Sequence, residues 1–363
     1  MNMNFNKSQA IDYLKAIGII LVVIGHYPLS PFNVITPYMF HMPLFFFIGG
    51  MLFSGRKKTI EIIKNGFNKY VLYILYTYVT IGFIVVLFNF YFRVSIGSPF
   101  SGGLINFLFV AVASNFSNNP FFVVAWFLLA YLGIMILFHV INSIACVIKD
   151  EKSKKAFLFF LAVFIGWVGV NFLAVEYKET QKQIYNYLSQ VTVGMMFYVF
   201  GFVFKEIIWS WVNITTCMLL FSFLYVLEQY GMVSPYTMSQ SQYPQGILSM
   251  IISTMICIYL TVALSRVLSA FKESKMLLEI GRESKVIMSY HLIAFLIIDL
   301  FVSFFGVLDM SYVSVFNHYA EKWTWPVYII GGIALPLLGL KVYLIFIKIV
   351  KSFYCELKVT RVV

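Results

Sequence analysis

Long apolar segments recur along this chain of 363 residues, and they limit its fold more than any other feature does. A helix needs about 20 predominantly apolar residues to cross a bilayer, and ten segments come close to that length or exceed it. Backbone groups inside a bilayer must bond to one another, so each segment is predicted to be a helix. The ten predicted spans are Ile11–Tyr27, Pro37–Phe53, Tyr70–Phe92, Phe121–Val147, Ala156–Val175, Leu188–Phe204, Trp209–Leu227, Tyr243–Leu264, Val286–Val307 and Trp325–Ile347.

The overall composition supports a membrane protein. Hydrophobic residues make up 61% of the chain and charged residues 11%, whereas a typical soluble domain has about 25% charged residues. This balance argues against a water-soluble enzyme, and the high hydrophobicity argues against a disordered chain. The sequence therefore predicts an all-α, polytopic integral membrane protein. About ten transmembrane helices would form one domain over residues 1–363.

The positions of the basic residues predict how the helices are oriented. If the N-terminus is cytoplasmic, twenty of the 26 Lys and Arg residues fall in cytoplasmic segments and two fall within spans. Because basic residues concentrate in cytoplasmic loops, this distribution predicts that both termini are cytoplasmic. It also accounts for the net charge of +11 without a nucleic-acid partner. The remaining four basic residues fall in the segments predicted to lie on the outer side of the membrane, and they are Arg93, Lys178, Lys182 and Lys322.

Two segments between the predicted spans are also informative. Pro28–Pro31 is predicted to be a tight turn that joins the first two spans in a hairpin. Residues Ser95–Pro120 are rich in Gly, Ser and Asn, and they contain one apolar piece, Leu104–Ala113, that is too short to span. We expect this piece to be re-entrant or interfacial.

Ionisable residues inside the predicted spans are the first candidates for function, because burying them in a bilayer is costly. The four cysteines show no Cys-x-x-Cys spacing, which argues against a disulfide framework or a structural zinc site. The candidates are Asp12, Lys15, His26, His41, His139, His291, Asp299 and Lys341.

Lys15 and His26 are eleven residues apart on the first predicted helix. At about 100° per residue they lie within roughly 20° of one face, about 16 Å apart along the axis. That face would carry a cation near the cytoplasmic side and an imidazole in the outer half. Asp12, one turn before Lys15, is placed to pair with it. The competing interpretation is a snorkelling lysine and an interfacial histidine that meets lipid headgroups.

His41 follows the predicted turn and opens the second span, so the hairpin is expected to bring it to about the depth of His26. A neutral imidazole is well suited to act as a general base near pH 7. Two imidazoles at one depth could share proton transfer or bind a metal, but the sequence offers no third ligand, which makes metal the weaker option. The alternative for His41 is a buried histidine bonded to a backbone carbonyl.

The other candidates give weaker signals. His291 and Asp299 are eight residues apart, about 80° around a helix, so they are not expected to form a clean pair. Asp299 must face protein or water, in either a functional or a structural hydrogen bond. We expect a structural role for His139 and snorkelling for Lys341, and His318 lies in an outer loop.

Two polar segments outside the spans are candidates for ligand contact. The outer segment Ser234–Gln245 is uncharged and rich in hydroxyl and amide groups, which suits a hydroxyl-rich ligand, although an ordinary solvated loop has the same composition. The inner segment Arg266–Lys285 is basic and could bind an anionic cofactor such as a nucleotide phosphate. Topology-setting charge explains the same segment.

Four sequence patches stand out: Ile11–His26, Phe40–Gly50, Trp126–Leu128 and Ile280–Ser284, the last leading to Tyr290 and His291. Together they resemble the acyltransferase-3 family of integral-membrane acyltransferases, especially the branch related to fucose 4-O-acetylase. The first two patches are the more specific, and all four occur in the family's order. The family usually has arginine where this sequence has Lys15, which keeps the charge but loses the bidentate fork.

This resemblance implies transfer of an acyl group, most often acetyl from acetyl-CoA, to a sugar hydroxyl. The acceptor would be a surface polysaccharide, such as a lipopolysaccharide, or its lipid-linked precursor, reached at the inner (plasma) membrane of a bacterium. We expect His26 to be the base, His41 its partner, and Lys15 and Arg282 to contact the donor, with membrane lipid around the protein and no metal cofactor.

Two alternatives remain open at this point. A transporter or flippase for a glycan or its precursor would also be polytopic with ionisable residues in its spans, although no internal repeat is detectable. An acyltransferase could also use another donor, such as succinyl-CoA, because the acyl pocket cannot be read from the sequence.

Overall fold

The computed structural model describes residues 6–29, 35–55, 59–271, 273–321 and 323–359. Part of the predicted Pro turn (residues 30 and 31), the basic run 56–58 and Lys322 lie outside these ranges. Within them the chain forms fifteen α-helices and no β-sheet. The helices are α1 (Lys7–Gly25), α2 (His41–Met51), α3 (Thr59–Gly66), α4 (Leu72–Phe92), α5 (Gly103–Ala113), α6 (Ala125–Ala145), α7 (Glu151–Val168), α8 (Ala174–Thr180), α9 (Gln183–Phe204), α10 (Ile207–Ser210), α11 (Ile214–Gln229), α12 (Gly246–Ser269), α13 (Lys275–Arg282), α14 (Ser284–Phe304) and α15 (Trp325–Val359).

Eight helical segments in the described part of the chain are long and apolar enough to cross a membrane, which confirms an all-α polytopic membrane protein. Two shorter apolar helices, α2 and α11, occupy the positions of the second and seventh predicted spans. The eight segments are Lys7–Gly25, Ile60–Phe92, Pro120–Ala145, Glu151–Thr180, Gln183–Phe204, Gly246–Ser269, Ser284–Phe304 and Trp325–Ser352.

The seventh predicted span, Trp209–Leu227, is not one continuous helix. The short helix α10 ends at Ser210, and α11 begins only after Asn213. The Asn213 side chain accepts a hydrogen bond from the Thr216 N–H at 2.8 Å and so caps α11. Asparagine favours such caps over helix interiors because its side chain competes for backbone groups. Hydropathy alone does not register this competition, so the predicted span began too early.

The two ends of the bundle differ in chemistry, and we name them by that difference. The basic end is the end at which α1 begins, where Lys7 pairs with Glu206 at 3.0 Å. The loop end is the end at which α1 finishes, at His26, and it holds the long connections 93–124, 230–245 and 305–324. The predicted re-entrant or interfacial piece is a helix, α5, at the loop end, where the Tyr187 hydroxyl donates to the Val112 carbonyl at 2.7 Å.

Helices α2 and α9 touch through their backbones, and two glycines make this approach possible. A Cβ atom at Gly50 would overlap the Tyr198 carbonyl, and one at Gly201 would overlap the Phe47 carbonyl. Small residues commonly allow such close helix packing in membranes. The contact fixes α2, and therefore His41 at its first turn, against the rest of the bundle.

We expect Gly201→Ala to destabilise the protein, because the added methyl group has no space between the two backbones. Overpacking a tight contact typically costs about 1–3 kcal/mol. Thermal unfolding of the purified protein in detergent measures the effect as a lower midpoint temperature. Gly133→Ala is the matched control, since a Cβ there meets only Val191 at an ordinary 3.7 Å. Equal midpoints for the two variants would contradict the packing argument.

Candidate active site

His26 is held at the loop end of α1 in a defined orientation. Its Nδ1 lies 2.8 Å from the Val22 carbonyl oxygen, one turn earlier, and therefore donates its hydrogen there. In the neutral ring, the lone pair is then on Nε2, the nitrogen that can accept a proton. The side chain is only 9% exposed. The local helix thus presents an oriented, largely buried base.

His41 is held in the same way by the turn that precedes α2. Its Nδ1 lies 2.6 Å from the carbonyl oxygen of Pro37, the first residue of a short 3₁₀ turn, Pro37–Met39. Pro43 lies in the first turn of α2, where proline does not interrupt the helical hydrogen bonds. His41 therefore makes the carbonyl hydrogen bond expected under the alternative interpretation. In its neutral ring, the lone pair is on Nε2.

A third histidine, His291 of α14, joins this group. Its ring centroid is 4.8 Å from that of His26 in an edge-to-face contact. The His291 Nδ1 lies 2.8 Å from the Met288 carbonyl, and its buried Nε2 has no hydrogen-bond partner among the residues that the structure describes. Buried polar atoms are usually hydrogen-bonded, so an unpartnered one beside another histidine calls for an explanation. His291 is therefore a candidate that helix periodicity did not connect to His26.

His26 and His41 line one cavity of about 230 Å³, which we call the histidine pocket. This arrangement agrees with the expectation that the hairpin brings His26 and His41 to about the same depth. Tyr38 lies between them, with its ring 6.2 Å from His26 and 5.0 Å from His41. Other walls come from α1, α2, α6 and the connections at the loop end. They include Val22, Met42, Ser117, Val124, Trp126, Tyr236, Gln240 and Phe316.

A buried hydrogen-bonded pair, His318 and Asp299, supports one wall of the histidine pocket. The His318 Nδ1 lies 2.6 Å from the Asp299 carboxylate, and its Nε2 lies 3.0 Å from the Val315 carbonyl. Both ring nitrogens of His318 therefore have a hydrogen-bond partner. Tyr328 also donates to Asp299. The pair fixes the connection that carries Phe316, whose ring stacks over His26 at 6.3 Å.

We expect Asp299→Ala to lower stability strongly, because it leaves His318 Nδ1, the Tyr319 N–H and the Tyr328 hydroxyl without their shared partner. Each buried polar group left unsatisfied costs about 1–3 kcal/mol. The midpoint of thermal unfolding in detergent measures this loss. Lys341→Ala is the control: Lys341 does not simply snorkel but pairs with Glu279 at 2.7 Å in an exposed position, where such pairs contribute about 0–1 kcal/mol. A smaller shift for Asp299→Ala than for Lys341→Ala would contradict this account.

The basic end brings the two predicted donor contacts together. The Asp12 carboxylate lies 3.0 Å from the Lys15 ammonium, as the sequence predicted, and 3.4 Å from the Arg282 Nε. Gly281 makes this possible, because a Cβ there would overlap the Asp12 backbone carbonyl. In the same segment, Arg266 is bound to the carbonyls of Trp209 and Val212. Lys15 does not line the histidine pocket, so the structure joins it to Arg282 and not to His26.

A comparison with protein-family models identifies the fold's family. The model described as an acyltransferase domain matches residues 8–341, nearly the whole chain. The chain belongs to the acyltransferase-3 family. No curated protein and no solved structure matches this chain. The family match supports acyl transfer over the transporter alternative. The protein is therefore a membrane acyltransferase.

The four family-like patches have distinct positions in this acyltransferase. The first holds Asp12, Lys15 and His26 along α1, and the second holds His41 and Gly50. The third contributes Trp126 to the histidine pocket, and the fourth holds Gly281 against α1. Among the described residues, no group of three or more His, Cys, Asp or Glu side chains is arranged to hold a metal ion.

Proposed function

We propose that this acyltransferase moves an acetyl group from cytoplasmic acetyl-CoA to a sugar hydroxyl of a surface polysaccharide or its lipid-linked precursor. The observation that carries the proposal is the separation of two sites along α1. Three histidines lie near the loop end, and two cations share one carboxylate at the basic end. The cations suit a polyanionic donor, and the histidines suit the hydroxyl group of a neutral acceptor.

His26 would act as the general base. The acceptor hydroxyl oxygen attacks the thioester carbonyl carbon, its proton passes to His26 Nε2, and a carbon–oxygen bond replaces the carbon–sulfur bond. The proton then goes to the departing thiolate. Supporting this role, the Nδ1–H of His26 is held by the Val22 carbonyl, which leaves Nε2 to accept a proton. His291, whose ring contacts that of His26, would orient the ring or accept the proton after it, and His41 would act from the same pocket.

Lys15 and Arg282 would bind the phosphates of the donor. Asp12 neutralises one of the two positive charges and holds both side chains near each other. Arg282 is 64% exposed at its side chain and therefore accessible to a soluble donor. The long flexible arm of coenzyme A would bridge the distance along α1 to the histidines. In this arrangement the basic end faces the cytoplasm of a bacterial cell, with about ten spans and both termini inside.

Alkali-labile acetate on the surface glycan of host cells tests the function. Four strains are compared: the intact host, cells lacking the gene, and deleted cells that express either the wild-type protein or His26→Ala at equal membrane abundance. Acetate should vanish on deletion, return with the wild-type protein and stay absent with His26→Ala. Unchanged acetate with less total surface glycan would instead indicate transport. Loss of a different acyl ester, such as succinate, would identify another donor.

A further inference from the structure

A second cavity at the loop end adjoins the histidine pocket and is much larger. Its volume is about 860 Å³, nearly four times the roughly 230 Å³ of the histidine pocket. We call it the polar cleft. It lies between the connection after α5, the helix α8 with the turn before it, and the segment 235–244. Cavities of roughly 300–1,000 Å³ hold ligands of drug size, so the cleft has room for far more than one hexose.

We propose that the polar cleft binds an acceptor made of several linked sugar residues, so that acetylation follows the assembly of these units. This inference rests on the proposed function. The two cavities are adjacent, because Ser117, Tyr236 and Gln240 line both of them. A sugar chain with one hydroxyl at His26 would therefore extend past Ser117 into the cleft.

The surface chemistry of the cleft matches a hydroxyl-rich chain. Its described lining residues are mainly hydroxyl and amide side chains, with no carboxylate and with Lys178 as the one charged group. Such groups donate and accept hydrogen bonds with sugar hydroxyls. The absence of carboxylates among these lining residues means that an acidic sugar would meet no repulsion there.

The segment 235–244 is held in place before any ligand binds. The backbone carbonyl of Ser239 accepts three side-chain N–H groups: Asn115 at 2.7 Å, Gln190 at 2.9 Å and Asn186 at 3.1 Å. A carbonyl oxygen has two lone pairs, so three donors fully saturate it. Gln190 and Asn186 come from α9, and Asn115 follows α5, so the segment is fixed from two sides. A preorganised wall reduces the entropy lost when a flexible sugar chain binds.

The length of the acceptor is the variable to test. The probes are oligosaccharides released by mild acid from the surface polysaccharide of cells lacking the gene, sorted by length, with a monosaccharide fraction. The purified protein transfers labelled acetyl from acetyl-CoA to each fraction. We expect kcat/KM to rise at least about tenfold from the monosaccharide to fractions long enough to fill the cleft, the effect of about one or two added hydrogen bonds.

Two variants locate this gain in the cleft. Val175→Trp and Lys178→Trp place a large ring in the part of the cleft away from the histidines, and both positions are at the protein surface. Each should abolish most of the gain in kcat/KM with acceptor length, so that the loss on the longest fraction exceeds the loss on the monosaccharide. Leu248→Trp, exposed on α12 and absent from the cleft lining, is the control and should change neither rate.

The outcomes separate this inference from the proposed function. If the wild-type protein acetylates the monosaccharide as well as the longest fraction, the acceptor proposal is wrong while the acetyltransferase function stands. Equal loss on short and long acceptors in both cleft variants would also overturn it. If no fraction accepts acetyl, the proposed function fails and the acceptor proposal fails with it.

Discussion

Replacing His26 with alanine is expected to reduce acetyl transfer by about 10²–10⁴-fold, the usual contribution of a general base. The substitution removes the nitrogen that would accept the proton, but it leaves the α1 helix and its contacts with α13 unchanged. Initial rates of labelled acetyl transfer, at saturating donor and acceptor, measure the loss in kcat. Because the group acts in the chemical step, KM for acetyl-CoA should change little.

Two other histidines make this expectation specific. His139 is also a buried histidine, 5% exposed, but it packs against Phe53 and does not line the histidine pocket. His139→Ala should therefore keep most of the activity in folded protein. His41→Ala should lose less activity than His26→Ala if His41 orients the base and does not itself accept the proton. A larger loss for His41→Ala would instead indicate that His41 is the base. Full activity in His26→Ala would exclude His26 as the base.

The arrangement around α1 was largely readable from the sequence, because contacts within one helix follow from spacing. The Asp12–Lys15 pair is three residues apart and was expected from helical geometry. The hairpin that brings His26 and His41 to one pocket required only a short turn between two apolar runs. In each case the distance along the chain was small enough for local rules to apply.

Contacts between distant segments were not readable in this way. Periodicity correctly separated His291 from Asp299 on α14, but it could not show that His291 packs on His26 or that Asp299 binds His318. These partners depend on which helices pack together, and a single sequence does not contain that information. Gly281 is a similar case. The sequence showed the motif that contains it, but the need for glycine comes from its close contact with Asp12, which is 269 residues away in the chain.

The extent of the active site depends on the same distant contacts. The outer segment 234–245 had the composition of an ordinary solvated loop. Three amides from α9 and the α5 connection hold it over the cavity, and only the folded structure reveals them. The sequence alone does not show that the amide side chains at 115, 186 and 190 bind the same carbonyl, because they come together only when the segments that carry them pack side by side.

Removing either Lys15 or Arg282 is expected to weaken donor binding, with KM for acetyl-CoA rising about tenfold in each alanine variant. A hydrogen bond between charged groups contributes about 1.5–3 kcal/mol, and partial exposure places these two near the lower limit. The turnover number should stay within about twofold, because both side chains lie about 16 Å from His26 along α1 or farther. Steady-state kinetics with acetyl-CoA as the varied substrate measures both quantities.

Lys341→Ala is the matched control for this prediction, since it removes a cation at the same end whose ammonium is paired with Glu279. Its KM should equal that of the wild-type protein. Salt provides a second test, because the screening of an ionic contact should raise the wild-type KM with ionic strength and raise it less in either variant. If Lys15→Ala instead lowers kcat with an unchanged KM, the lysine acts in the chemical step. The acetyl group would then have to react near the basic end, a helix length away from the histidines.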